Sequence, residues 1–188
     1  MKVDCMNLDN IYPYLMPGLI GPEFETVSIP LGHDVYVVIF EDHEAEAGIV
    51  HSIVTPYKLQ VSGLDIAHLH QQAMQNLEQF AERDDIGIKM LGQPGEEVNF
   101  LLFHGHARAS ACLLLSNLYG LAQNWLESDE LCACVPQRET LVVFPKRDRA
   151  YREFLIGKLK EIEGDARRPI TFELFELTPD GVVPFVES

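Results

Sequence analysis

Residues 99–144 read NFLLFHGHARASACLLLSNLYGLAQNWLESDELCACVPQRETLVVF. NFLLF is a short apolar run that reads as a buried strand. ARASACLLLSNLYGLAQNWL (107–126) reads as a largely buried helix. Its inner stripe is Ala111, Leu114, Leu115, Leu118, Ala122 and Trp125, and Cys112, Leu113 and Leu121 extend the apolar surface beyond one stripe. LCACV and TLVVF then flank PQRE as two strands of a hairpin.

The same helix–hairpin grammar is repeated on both sides. Upstream, Ser62 opens a helix with Asp65 three residues on, a variant of the capping box. Ile66, His70, Ala73, Met74, Leu77 and Ala81 share a face of that helix, which ends near Arg83. IGIKML and VNFLLF follow, joined by Gln93-Pro94-Gly95-Glu96, a type II turn sequence. Downstream, a helix runs from about Asp148 to Glu163, with Tyr151, Phe154, Leu155, Leu159 and Ile162 inward and Gly164 at its end. ITFELFEL and VVPF pair across Thr178-Pro179-Asp180-Gly181. The turn prolines Pro94, Pro136 and Pro179 are 42 and 43 residues apart, as copies of one αββ unit would give. The units share almost no residues in register, so regular alternation without duplication is the competing reading.

Before these units the chain is harder to read. Pro13, Pro17, Gly18, Gly21 and Pro22 predict an irregular lead-in over the first ~20 residues. Thr26–Leu31 is a weak strand, VYVVIF (35–40) a firm one, EDHEAEAG a solvated turn, and GIVHSIV (48–54) the return strand. The expectation is one α+β domain over 1–188, mainly antiparallel sheet with three helices, in the order β-β-β-α-β-β-α-β-β-α-β-β. Residues 1–62 form its acidic, strand-rich part and residues 63–188 its three helix–hairpin units.

The 188 residues are 47% hydrophobic, enough for a conventional core, and carry a net charge of −15. Residues 1–100 hold 16 acidic and 4 basic side chains; residues 101–188 hold 13 and 10. Such a surface repels phosphate backbones and suits a basic protein partner, so nucleic acid is not expected. Four cysteines, Cys5, Cys112, Cys132 and Cys134, are too few for a disulfide framework in a chain this long. MKVDCMNLDNIY has no secretory pattern, and Ala111–Leu126 is too short and too polar to span a bilayer. A soluble cytoplasmic protein is the expectation, with no membrane and no cofactor.

Several constellations are candidates for chemistry. His104-Gly105-His106 and Cys132-Ala133-Cys134 each place two metal-ligating side chains on one side of an extended strand. Neighbouring strands would let them form a tetrahedral zinc site; otherwise the cysteines are small buried hydrophobes and the histidines polar strand ends. Arg138-Glu139 sits at a hairpin tip, where it contacts a ligand or partner or forms a surface ion pair. Asn76 lies beside the buried stripe of its helix and either tethers a nearby loop or faces a ligand. Lys146, Arg147, Arg149 and Arg152 cluster at a helix start, against the macrodipole. Arg147, Arg149 and Arg152 are candidate ligand or partner contacts, and the cluster meets an acidic partner, a phosphate or, the favoured option, the chain's own acidic N-terminal half. GxSxG, Walker A, GxGxxG and HExxH are absent from the sequence.

Ala73-x-x-Asn76-Leu77, the apolar strand, the Ala109-Ser110 entry into a leucine-rich helix and Val135-Pro136-x-Arg138-Glu139 resemble the bacterial domain-of-unknown-function family numbered 1444. The resemblance covers about Leu64–Phe185 and departs at Glu139, where the family pattern leads one to expect Asp. It implies a bacterial origin and a shared fold, and it implies no reaction. The alternation of helix and sheet also looks like small acidic secretion chaperones, a fold-level analogy. The leading expectation is a non-enzymatic acidic protein-interaction module of chaperone, adaptor or inhibitor type. The alternatives are a metal-assisted hydrolase using His104, His106 and Glu139, and a small-ligand regulatory domain with a pocket near Asn76 and Arg138. A homodimer through an exposed sheet edge fits either class.

Overall fold

The computed structural model describes residues 6–18, 26–46, 48–83, 86–96, 98–165 and 169–187. In chain order its elements are β1 (Ile11–Pro17), β2 (Ser28–Gly32), β3 (Val35–Ala45), β4 (Gly48–Ile53), α1 (Pro56–Ser62), α2 (Ile66–Glu82), β5 (Gly87–Leu91) and β6 (Phe100–His104). There follow α3 (Leu118–Leu126), β7 (Leu131–Gln137), β8 (Thr140–Pro145), α4 (Arg149–Glu163), β9 (Leu174–Thr178) and β10 (Gly181–Pro184). Every pairing of these strands is antiparallel, so the α+β class holds. The larger sheet runs β10-β9-β7-β8-β6-β5. The smaller one runs β1-β3-β2, with β4 pairing the far half of β3.

Alternation along β7 and β8 explains the layering. Leu131, Ala133, Val135, Leu141 and Val143 face one way, into a core shared with Tyr14 and Val38 of the smaller sheet and Leu118 and Leu126 of α3. Cys132, Cys134, Val142 and Phe144 face the other way, onto Leu155 and Leu159 of α4. Being covered on both faces, these strands read as continuous apolar runs rather than alternating ones. A third cluster packs Ile11 and Ile39 under Leu59 of α1 and Leu69 and Ala73 of α2. The shared core therefore crosses the expected division at residue 62.

The N-terminal region departs most from expectation. Part of the expected irregular lead-in is β1, whose first five residues are buried. Its prolines are tolerated because β1 lies at the end of its sheet, where a missing N–H breaks no second ladder. The solvated turn expected at EDHEAEAG is in its first half a strand: β3 continues through Ala45, and Glu41 and Asp42 are buried. The segment before α2 is a separate helix, α1, capped by Thr55, with Pro56 in its first turn and Gly63 left-handed (φ 72°) at its end. Asp65, not Ser62, caps α2. Cys5, Gly21 and Pro22 lie outside the described residues.

The expected helix over 107–126 is two pieces. Ser110–Leu114 is a 3-10 turn, the chain is extended at Leu115, and α3 starts at Leu118. Ser116 and Asn117 sit at the break, where short polar side chains compete with helical hydrogen bonding; Ser116 Oγ donates to Glu78 Oε1 at 2.9 Å. The restart changes the buried stripe to Leu118, Ala122 and Leu126 and leaves Trp125 44% exposed. Leu114 and Leu115 are half-buried. In α4, Leu155 and Leu159 are buried as expected, whereas Phe154 and Ile162 are exposed.

Candidate functional site

The structure separates the residues of the zinc expectation. β8 lies between β6 and β7, so the His104 and Cys132/Cys134 strands are not neighbours. β6 also ends at His104. Gly105 is left-handed (φ 87°), which reverses the chain between the two histidines. His106 packs its ring, tilted by 51°, against Phe80 with the ring centroids 4.6 Å apart, and its Nδ1 accepts the Arg108 N–H. Cys132 and Cys134 are fully buried under α4, and burial pushes both thiols up to about 12. No group of three or more His, Cys, Asp or Glu suited to a metal is formed among the described residues.

Asn76 is a tether. Its Nδ2 donates to the Leu8 and Ile11 carbonyls, both at 2.8 Å, and its Oδ1 accepts from Gln72. It pins α2 to the start of β1. Arg138 is not a surface ion pair with Glu139. Its guanidinium lies inward, 4.7 Å from the centre of the Tyr14 ring, while Glu139 is exposed.

Three cations of the basic cluster at α4 meet carboxylates of the C-terminal half, and Arg147 reaches back to residues 96 and 99. Lys146 pairs with Glu176 at 2.8 Å, Arg149 with Glu153 and Glu187, and Arg152 with Glu187 at 3.1 Å. Arg147 donates to Asn99 Oδ1 and the Glu96 carbonyl and lies over the Tyr151 ring. Asp148 supplies the N-cap, which offsets the unfavourable placement of cations at a helix start.

Where β3 passes the 3-10 turn, the fold assembles a buried charged cluster that the sequence did not announce. Asp42 (5% exposed) forms an ion pair with Arg108 (4% exposed), whose guanidinium lies between the Tyr12 ring at 3.4 Å and the Phe80 ring at 4.3 Å. Tyr14 donates its hydroxyl to Asp42 at 2.8 Å, and His51, cross-strand from Asp42, brings Nδ1 to 2.6 Å from the other carboxylate oxygen. Burial raises the Tyr14 hydroxyl well above its usual range, so it remains a donor. An Asp–His pair can orient a general base, but among the described residues His51 bonds to Tyr14 and Asp42 and to no serine, threonine or cysteine. The cluster holds the smaller sheet to the 3-10 turn and, through Arg138 over Tyr14, to the β7–β8 hairpin. The signals available for it were faint: an apolar strand running straight into Glu41-Asp42, and Arg108 set before an apolar segment, neither of which local pattern rules single out.

A groove of about 250 Å³ opens between the end of α2, the start of α3 and strands β5 and β6. Ile88, Phe103, Leu118 and Leu121 form its apolar wall, and Glu78 and Glu82 stand beside it on α2. Burial pushes the Cys112 thiol in its lining up to about 12, so a nucleophilic thiolate is not offered there. No helix is long and apolar enough to cross a membrane among the described residues.

Comparison with known proteins found no matching family model, no matching curated protein and no matching solved structure.

Proposed function

We propose that this protein is a non-enzymatic, acidic protein-interaction module, of chaperone, adaptor or inhibitor type, that recruits a basic partner protein in the cytoplasm. One observation carries the reading: many of the chain's cations are engaged internally while carboxylates remain at the surface. Lys58, Arg108, Lys146, Arg149, Arg152 and Lys158 are each ion-paired within the chain. Glu44, Glu46 and Glu82 are exposed, and the net charge is −15. Such a field draws a cationic partner from a distance and repels anionic ones. Three buried free thiols, Cys112, Cys132 and Cys134, suit a reducing compartment.

The test is capture from lysate of the source organism on the immobilised chain. The expected result is reproducible retention of a basic protein that weakens as salt rises. Reproducible recovery of nothing at low salt rejects the proposal.

A further inference from the structure

We infer that the groove beside β5 is the docking site, and that it takes an extended basic peptide segment which adds to the larger sheet as a seventh strand. The inference rests on the protein-binding reading and supplies its site, mode and partner chemistry.

Three features converge there. First, β5 ends the order β10-β9-β7-β8-β6-β5, so among the described residues one side of it has no strand neighbour within the sheet. A row of backbone groups at such an edge is a template for another strand. Second, Ile88 pairs with Phe103 across the β5–β6 ladder, and both side chains line the groove. Ile88 is 36% exposed, so the apolar wall continues out to the edge. Lys89, the one charge on β5, alternates to the opposite face and does not guard the groove. Third, Glu78 and Glu82 on the groove side of α2 give the opening a negative rim.

Size and charge choose the occupant. About 250 Å³ lies below the range of roughly 300–1,000 Å³ typical of small-molecule sites. The space suits one apolar side chain of a strand rather than a cofactor. A second copy of this chain would bring its own −15 charge and its own Glu78 and Glu82 against the same rim. A basic segment has neither problem. Side chains two apart in a strand share a face. The matching pattern is therefore an apolar anchor with a lysine or arginine two residues before it and another two residues after it.

The probe is a fluorescent nine-residue peptide centred on Lys-Thr-Leu-Thr-Lys, with a Glu-Thr-Leu-Thr-Glu version as control. Anisotropy should show binding of the lysine peptide and at least tenfold weaker binding of the glutamate one. Glu78→Gln/Glu82→Gln should weaken the lysine peptide about tenfold, and Ile88→Lys should abolish its binding. Peptides N-methylated on odd or on even residues should differ, because one set removes the N–H groups that face β5. Amide exchange should slow in residues 87–91 on binding. Equal affinity for both peptides, no binding, an unaffected glutamine variant, or protection elsewhere overturns the inference. So does a light-scattering dimer that Ile88→Lys dissolves, since a second copy would then be the occupant. In the lysate assay, capture of the same basic partner by the parent chain and by Ile88→Lys removes this site and keeps the protein-binding reading. Failure of the parent chain to capture anything removes the reading itself.

Discussion

Asp42 and Arg108 have both been taken out of water, and such a pair is held by mutual attraction and by the groups that complete it. Those groups are distributed unequally. Asp42 also meets Tyr14 and His51, whereas Arg108 lies against the faces of Tyr12 and Phe80 with the neutral Tyr14 hydroxyl beside it, and has no second carboxylate among the described residues. Removing the carboxylate therefore strands a buried cation, and Asp42→Asn should cost about 3–5 kcal/mol. Arg108→Met leaves Asp42 with two partners and should cost less. The double variant should be less destabilised than the sum of the two, as expected for groups in contact. Urea unfolding at constant m gives all three values, and an additive result or the reverse order contradicts this account. The thiols make a second residue-scale case. With burial holding Cys112, Cys132 and Cys134 near 12, almost no thiolate exists at pH 8. Iodoacetamide should leave these three unmodified in the folded chain and label them once urea unfolds it. Peptide mass mapping reads the outcome, and rapid labelling of Cys134 without denaturant would show that α4 does not cover it.

At the scale of elements, the break between the 3-10 turn and α3 decides which residues carry stability. Leu118 is buried in the shared core and Trp125 is 44% exposed. Leu118→Ala should cost about 2–5 kcal/mol, and Trp125→Gln should change stability by no more than about 0.5 kcal/mol. A costly Trp125→Gln in the same unfolding assay would restore one unbroken helix over 107–126. Asn76→Ala should cost about 1–3 kcal/mol, because the Leu8 and Ile11 carbonyls lose their donor. These contrasts also mark what was legible in the sequence. The hairpins were readable, since Pro94-Gly95 and Pro179-Asp180-Gly181 are strong local turn signals, and Gly95 does adopt the positive φ (83°) of a type II turn. The tether role of Asn76 was readable as one of two options, because a polar residue beside an apolar stripe must find partners. What local rules missed was decided by distant contacts. Pro13 in β1 is acceptable at a sheet edge that no local pattern reveals, and Glu41-Asp42 looks like a loop until Lys58, Arg108 and His51 are brought to it. The groove was illegible for the same reason: Glu78, Ile88 and Leu121 are far apart in sequence and meet only through α2, β5 and α3.

For the whole molecule, the balance lies between a charge of −15 spread over the surface and a few ion pairs sheltered within it. Salt screens the first more than the second, because buried pairs are protected from the ionic atmosphere. At pH 7 added salt should therefore raise the melting temperature, and calorimetry showing a fall would mean that exposed pairs such as Arg149–Glu153 dominate stability. Acid acts in the opposite direction at one identified place. Burial alone would raise the Glu41 pKa, but the Asn7 N–H and the Lys58 ammonium outweigh it and hold that carboxyl below its ordinary value. A carboxylate depressed in the folded state stabilises the fold above its unfolded pKa, and that contribution is lost as pH falls through the folded value. Lowering the pH towards the isoelectric point near 4.7 relieves self-repulsion, whereas going below the ordinary carboxylate range protonates Glu41 and frees Lys58 and the Asn7 amide. Lys58→Met should lower stability most near neutral pH and flatten the acid limb of the profile, because a Glu41 pKa returned towards its unfolded value leaves less stability to lose on protonation. Melting temperatures of parent and variant from pH 3 to 7 test this, and superimposable acid limbs would show that the Glu41–Lys58 pair does not anchor α1 to the smaller sheet.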